Sequence, residues 1–251
     1  MKLKIAANCI RGNKRRSNED MVLVGESFLR DGSIDFSLDN PDLFFALVSD
    51  GMGGHDHGEM ASEFLLRRIR ESILPATDVG GGFQSWIRSV NAEMESISSR
   101  LAMTRHMGCT LSGLIWQNDR VWIVNAGDSR TYRFRSGSLL QLTEDHNIKQ
   151  RPRYNSGPEL SMLVNCIGAG AAAQVDINDV GGDIQSGDIF LVCTDGLYEM
   201  LPERNILEVL SGDSGPVDSV ARLSQMAEEA GGCDNISLIV VKVVYVVFYI
   251  I

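Results

Sequence analysis

Two apolar runs in this chain end on the same dipeptide. Leu43-Phe44-Phe45-Ala46-Leu47-Val48 leads into Ser49-Asp50-Gly51, and Ile189 to Thr194 leads into Asp195-Gly196. Other acids also fall at strand boundaries. Asp128 follows a strand within Asn125-Ala126-Gly127-Asp128-Ser129-Arg130, Asp234-Asn235 precedes the last strand, and Glu19-Asp20 precedes the second. A carboxylate at the end of a buried strand is costly unless something pairs with it. One Asp-Gly is most simply a turn. Several acids at strand ends together constrain the fold more tightly, because a fold that gathers those ends gathers the charges. Mutual repulsion would then raise the pKa values unless divalent cations occupy the spot. Oxygen donors without His or Cys ligand spacing favour Mg²⁺ or Mn²⁺ over zinc.

The rest of the chain reads as an α/β (α+β) pattern. Leu3, Ile5 and Ala7 alternate in a first strand, and Met21-Val22-Leu23-Val24 forms a second after a charged loop, Arg11 to Asp20. Asp31-Gly32 and Asn40-Pro41 mark residues 26–42 as a surface hairpin or loop. Met60, Phe64, Leu65, Ile69 and Ile73 give one helix face, with Pro75 beyond its end. Trp86, Val90, Met94, Ile97 and Leu101 give a second, after a break at Gly80-Gly81-Gly82. Strands follow at Thr110–Trp116, Arg120–Asn125, Ser129–Arg135 and Leu139–Leu142. Residues 146–171 read as an irregular flap, and helices are expected at 202–210 and 216–230. Ile236 to Phe248 reads as a closing strand. With no Pro- or Ser-rich linker and no repeat, 1–251 is expected to form a single domain with largely antiparallel sheets.

Composition excludes several classes. Twenty-three Lys and Arg against 33 Asp and Glu give a net charge of −10, which argues against a nucleic-acid-binding domain. The five cysteines are odd in number and scattered, which points to a reducing compartment and a cytoplasmic protein. Ile236 to Ile251 is apolar apart from Ser237 and Lys242. That is shorter than the ~20 residues of a spanning helix, and its β-branched content favours strand, so no membrane span is expected. The excess, 243–251, reads as a strand extension packed on the domain or as an edge that pairs with a second chain.

Seven motifs in order carry a resemblance through nearly the whole chain. They are Arg15-Arg16-Ser17-Asn18-Glu19-Asp20, Asp50-Gly51-Met52-Gly53-Gly54-His55 with Gly58-Glu59 and Ala61-Ser62, and Gly108-Cys109-Thr110. Gly127-Asp128-Ser129-Arg130, Leu142-Thr143-Glu144-Asp145-His146, Thr194-Asp195-Gly196-Leu197 and Asp234-Asn235-Ile236-Ser237 complete the set. In these the chain resembles the type 2C, metal-dependent (PPM) serine/threonine protein phosphatases in their bacterial form. The resemblance implies a β-sandwich of two antiparallel sheets flanked by helix pairs, in four layers, with metals in a cleft at one end. It implies two Mn²⁺ or Mg²⁺ ions bridged by Asp50, one of them bound by the Gly51 carbonyl, the other completed by Asp195 and Asp234. Asp128 would hold a third, weaker ion with Asp195. Glu19 and Asp20 would act through metal-bound water or by holding their loop, and Arg15 would grip the substrate phosphate. The implied reaction is direct attack of a metal-activated water on a phosphoserine or phosphothreonine of a protein, without a phosphoenzyme and in opposition to a serine/threonine kinase.

The chain departs from that family pattern at Met52, where relatives carry a candidate general-acid His; at Cys109, where a hydroxyl or small residue is usual; and in a short flap without a basic Thr-Arg pair. These departures motivate a second reading, a pseudophosphatase that binds phosphoproteins without turnover; the intact acids oppose it. Two further motifs compete. Cys9-Ile10-Arg11-Gly12-Asn13-Lys14-Arg15 fits the Cys-x-x-Gly-x-x-Arg loop of cysteine-dependent phosphatases, although no helical pattern starts at Arg15. Gly168-Ala169-Gly170-Ala171-Ala172-Ala173 mimics a dinucleotide loop but lacks a following helix.

Overall fold

A computed structural model describes residues 1–52, 56–74, 77–103, 106–118, 120–150, 160–169 and 172–245. Five strands open the chain: β1 (Lys2–Ile10), β2 (Met21–Val24), β3 (Ser27–Leu29), β4 (Gly32–Asp39) and β5 (Leu43–Ser49). The short β6 (Gly51–Met52) leads to helices α1 (Asp56–Ser72) and α2 (Val79–Arg100). Then come β7 (Gly108–Cys109), β8 (Leu111–Gln117), β9 (Arg120–Ala126), β10 (Arg130–Arg135) and β11 (Ser138–Gln141). The flap contains β12 (Asn147–Gln150), β13 (Leu160–Leu163) and β14 (Ile167–Gly168), and is followed by β15 (Asp176–Asp179) and β16 (Ile189–Cys193). Helices α3 (Asp195–Tyr198), α4 (Glu203–Ser211) and α5 (Pro216–Glu229) precede the last strand, β17 (Ile236–Val244).

Two six-stranded antiparallel sheets make up the centre. One runs β11-β10-β16-β17-β1-β4 and the other β15-β9-β8-β5-β2-β3. Strands β5, β16 and β17 are apolar on both sides because each sheet is covered on both faces. Leu3, Ile5, Ala7, Val22, Phe44, Val48, Val192 and Val241 fill the space between the sheets. Helices α1 and α2 cover the outside of the second sheet through Leu65, Ile69, Phe83, Ile87 and Val90, packed on Leu23, Leu47 and Val124. Helices α3 to α5 cover the outside of the first through Leu197, Ile206 and Leu223, packed on Leu191 and Leu238. The order of layers is therefore α-β-β-α, as the resemblance implies. Each such side chain gains roughly 1.5–3 kcal/mol on burial.

Four local readings are corrected. Residues 26–42 are mostly strand: β4 pairs with β1 over its whole length, Leu38 opposite Leu3, with Ile34, Phe36 and Leu38 turned to the core. The buried stripe of α1 is Ala61, Leu65, Leu66 and Ile69, and Met60 is 39% exposed. Helix α2 starts before the three glycines, because Asp78 caps it and accepts the Gly81 N–H at 3.1 Å. Its inner face is Phe83, Ile87, Val90 and Met94, while Leu101 is 57% exposed at its end. The flap base is a hairpin, Asn147 opposite Leu163.

Strand β17 has both edges paired, Val244 with Lys2 on one side and Lys242 with Ile189 on the other. Its described length therefore offers no free edge to a second chain, and 246–251 lie outside the described residues. So do Gly53-Gly54-His55, Pro75, 151–159 and Gly170-Ala171. Among the described residues no helix is long and apolar enough to cross a membrane. All five cysteines are free thiols, and only Cys233 is exposed.

Candidate active site

Asp50 sits where β5 leaves its sheet and turns into β6. Thr110 fixes that turn: its N–H donates to the Asp50 carbonyl at 2.8 Å, and its Oγ1 accepts the Asp50 N–H at 2.9 Å. Ser49 Oγ closes the same knot on the Thr110 carbonyl at 2.7 Å. Asp195 is the first residue of α3, at the end of β16. The preceding Thr194 donates its hydroxyl to Asp20 Oδ2 at 2.8 Å. Asp234 lies just before β17, and its Oδ2 accepts a hydrogen bond from the Arg15 guanidinium.

The loop that carries Arg15 and Glu19 is held by Asn235. Its amide donates to the Arg11 carbonyl at 2.9 Å and the Ser17 carbonyl at 3.0 Å, and its Oδ1 accepts the Glu19 N–H at 2.8 Å. Gly12, at φ +72°, lets the loop press on the Asp234 carbonyl, where a Cβ would overlap. Asn235 is buried, and Asn235→Ala would leave three half-buried backbone groups without this partner. It should cost about 1–3 kcal/mol, read by chemical denaturation, from the loss of hydrogen bonds to half-buried partners.

The acids converge. Burial pushes Asp50 well above the usual carboxylate range, and the charges of Asp20, Asp195, Asp234 and Asp128 push it further. Asp195 is raised in the same way, by burial and then by Asp234, Asp128 and Asp20. Asp20 is pushed up to about 7, chiefly by burial, against hydrogen bonds from Ser237 and Thr194. Asp128 is also raised by burial, against a hydrogen bond from Asn147. Arg15 feels the opposite field. Burial alone would lower it, and Asp234, Asp50 and Asp195 together raise it.

A comparison with known proteins fits this geometry. The family model described as protein phosphatase 2C matches residues 27–236. The chain belongs to the protein phosphatase 2C family. Its relatives in that family include the serine/threonine phosphatase stp of Listeria monocytogenes serotype 4b, 31% identical over 248 residues that cover 92% of each chain. The serine/threonine protein phosphatase PstP of Mycobacterium tuberculosis is 29% identical over 253 residues, 96% of this chain but 45% of PstP. The crystal structure of PstP superposes with a TM-score of 0.78 at 26% identity, covering 98% of this chain and 100% of that one. The PstP catalytic domain in complex with two manganese ions superposes at 0.71 with 25% identity, covering 97% and 99%.

The protein phosphatase 2C residues here fit a hard divalent cation. The donors are carboxylate and carbonyl oxygens. Asp195 Oδ1 is buried with no hydrogen-bond partner. Gly58, in the first turns of α1, keeps open a space that a Cβ would fill: it would overlap Glu19 Oε2 and stand 2.7 Å from the Gly51 carbonyl oxygen. Among the described residues no three of these carboxylates close on a single point; at Asp234 the Arg15 guanidinium is hydrogen-bonded to Oδ2.

Arg15, Glu19, Asp50, Gly51, Asp128, Asp195 and Asp234 thus share one end of the sandwich. Sequence reading gave no role to Asn235, Thr110, Gly58 or Tyr198. The first three stood in quoted motifs, which was the available signal. The competing loops do not assemble. Burial, followed by the charge of Asp20, pushes the Cys9 thiol up to about 12, so it is no ready nucleophile. After Gly168-Ala169 the next described element is the strand β15, not a helix. His57 lies in α1.

Proposed function

We propose that this chain, acting as one domain, hydrolyses phosphoserine and phosphothreonine in proteins. Two Mn²⁺ or Mg²⁺ ions would be held by Asp50, the Gly51 carbonyl, Asp195 and Asp234. Asp128 with Asp195 would take a third, weaker ion, and Glu19 would bind through water. The observation that supports this is that Asp50, Asp195 and Asp234 lie at strand ends on one end of the sandwich, with Arg15 hydrogen-bonded to Asp234. A protein serine/threonine kinase would supply the substrate, in the cytoplasm. The 146–171 flap would choose it.

Bound divalent ions supply an acidified water and neutralise charge on the phosphoryl oxygens. The protein supplies position. Thr110 fixes the Asp50 main chain, and Asn235 holds the loop that presents Arg15 and Glu19. Arg15 lies against Asp234, and its planar fork would donate to two oxygens of a bound phosphoryl group. Met52 offers no proton to the leaving alcohol, so that proton comes from water or from another side chain. Every carboxylate that this reading requires is present in the chain, which favours turnover over a purely binding role.

Hydrolysis of a phosphothreonine peptide should require Mn²⁺, stop in EDTA and persist in Cys9→Ser. Activity that survives EDTA and is lost in Cys9→Ser overturns the proposal. Arg15→Ala should lower kcat/KM about 10- to 100-fold, through the loss of charge-assisted hydrogen bonds worth roughly 1.5–3 kcal/mol. Most of that loss should fall on KM; an unchanged KM would remove Arg15 from phosphate binding.

A further inference from the structure

The Asp128 turn is held from two sides. Gly127 donates to His146 Nδ1 at 3.2 Å and accepts the His146 N–H at 2.9 Å, which fixes the turn to the base of the flap. From the other side, the Tyr198 hydroxyl donates to the Asp128 carbonyl at 2.9 Å. Tyr198 is the last residue of α3 and Asp195 is its first. One O–H therefore ties the turn that carries Asp128 to the helix that carries Asp195.

The tyrosine is itself immobilised. Arg130 Cζ lies 3.6 Å from the Tyr198 ring centroid. Arg130 in turn grips Asp145 through Nε and Nη2 at 2.6–3.2 Å, and its Nη1 donates to the Tyr132 hydroxyl at 3.0 Å. Stacking on a guanidinium fixes the plane of the ring, and so the direction of its hydroxyl. The need for a tether is electrostatic. Asp128 and Asp195 are like charges in a poorly solvated place, and without a cation they push the turn and the helix apart.

We infer that Tyr198 is a positioning residue: its hydroxyl holds the Asp128 main chain in register with Asp195, so that the two carboxylates are aimed at a shared cation. This rests on the reading of Asp128 and Asp195 as ligands of a third, weaker ion. It assigns no role to Tyr198 in the chemical step. Loss of the hydroxyl should weaken that ion and leave the pair at Asp50 unchanged. Outer-shell partners of this kind typically contribute 10- to 100-fold to metal affinity.

Tyr198→Phe keeps the ring under Arg130 and removes only the donor. Calorimetric titration of the wild type with Mn²⁺ should resolve a weak binding event after the tight ones. In Tyr198→Phe the weak event should weaken about tenfold with the tight events unmoved, and the melting temperature in EDTA should shift by no more than about 2–4 °C. The Mn²⁺ concentration for half-maximal rate should rise by the same factor, and the rate at saturating Mn²⁺ should recover. In an Asp128→Asn background, which should lack the weak event, Tyr198→Phe should change nothing further. An unchanged weak event in Tyr198→Phe overturns the inference, as does equal weakening of all events with a large fall in melting temperature. Tight events without a weak one in the wild type overturn the third site alone. No Mn²⁺ binding by the wild type overturns the proposed function beneath it.

Discussion

Asp195→Asn should lower phosphopeptide hydrolysis at saturating Mn²⁺ by about a thousandfold and leave the fold intact. The estimate follows from losing the charge of a ligand that helps a metal stabilise the transition state, worth several kcal/mol, at 1.36 kcal/mol per tenfold in rate. Asparagine has the same shape and keeps one oxygen, so packing around α3 is preserved. It also removes one member of a repelling set, since Asp195 is pushed up by Asp234, Asp128 and Asp20. The melting temperature in EDTA should therefore hold or rise while activity collapses. A merely structural aspartate would behave in the opposite way, losing stability first. Near-normal kcat/KM would remove Asp195 from the ligand set. Loss of activity together with a fall in melting temperature would reduce it to a structural residue.

The second large effect is a reversal of pH dependence by metal. Asp50, Asp195, Asp128 and Asp20 are all raised in the folded protein, with burial the leading cause at each. A carboxylate whose folded pKa exceeds its unfolded value holds its proton longer in the native state. Its contribution to stability is present below the unfolded pKa and is lost as pH rises through the folded one. For Asp20 that window runs from its ordinary value of 3.8 up to about 7. In EDTA, then, melting temperature should fall between about pH 5 and pH 8. A divalent cation binds the ionised form, so Mn²⁺ should stabilise little at pH 5 and strongly at pH 8. Melts across that range, with Mn²⁺ and with EDTA, test it. A Mn²⁺ increment that is flat with pH would mean that the buried acids are not where the cation sits.

These two effects rest on residues that were easy to see in the sequence, and the reason is physical. Asp50 and Asp195 interrupt apolar runs that otherwise end in small or uncharged residues, and a charge there must be explained. The sandwich was legible because most of its strands are joined by short turns with strong local signals. What stayed hidden depends on partners far along the chain. Asn235 acts on residues 11, 17 and 19, and nothing near position 235 reveals that. Tyr198 reads locally as one more apolar residue after Leu197; its importance is set by Asp128 and Arg130, which belong to the other side of the sequence. The helix faces were displaced because Met60 and Leu101 extend the periodicity one step beyond the side that is covered. Strand β4 was obscured by the turn residues at its two ends, although Ile34, Phe36 and Leu38 alternate between them.

The pairing of β1 with β17 sets a schedule for the molecule. During synthesis β1 emerges long before its neighbour on one side, β17, and Lys2 must find Val244. Pairings of such sequence separation form slowly, because the entropy of closing the loop is lost before any contact is gained. Asp234 and Asn235 lie at the entrance to that same strand. The loop bearing Arg15 therefore lacks the Asn235 clamp, and the cluster lacks one of its acids, until β17 has left the ribosome. A nascent chain that lacks β17 lacks both Asp234 and the Asn235 clamp, so the site is completed in one step with that strand and not by degrees.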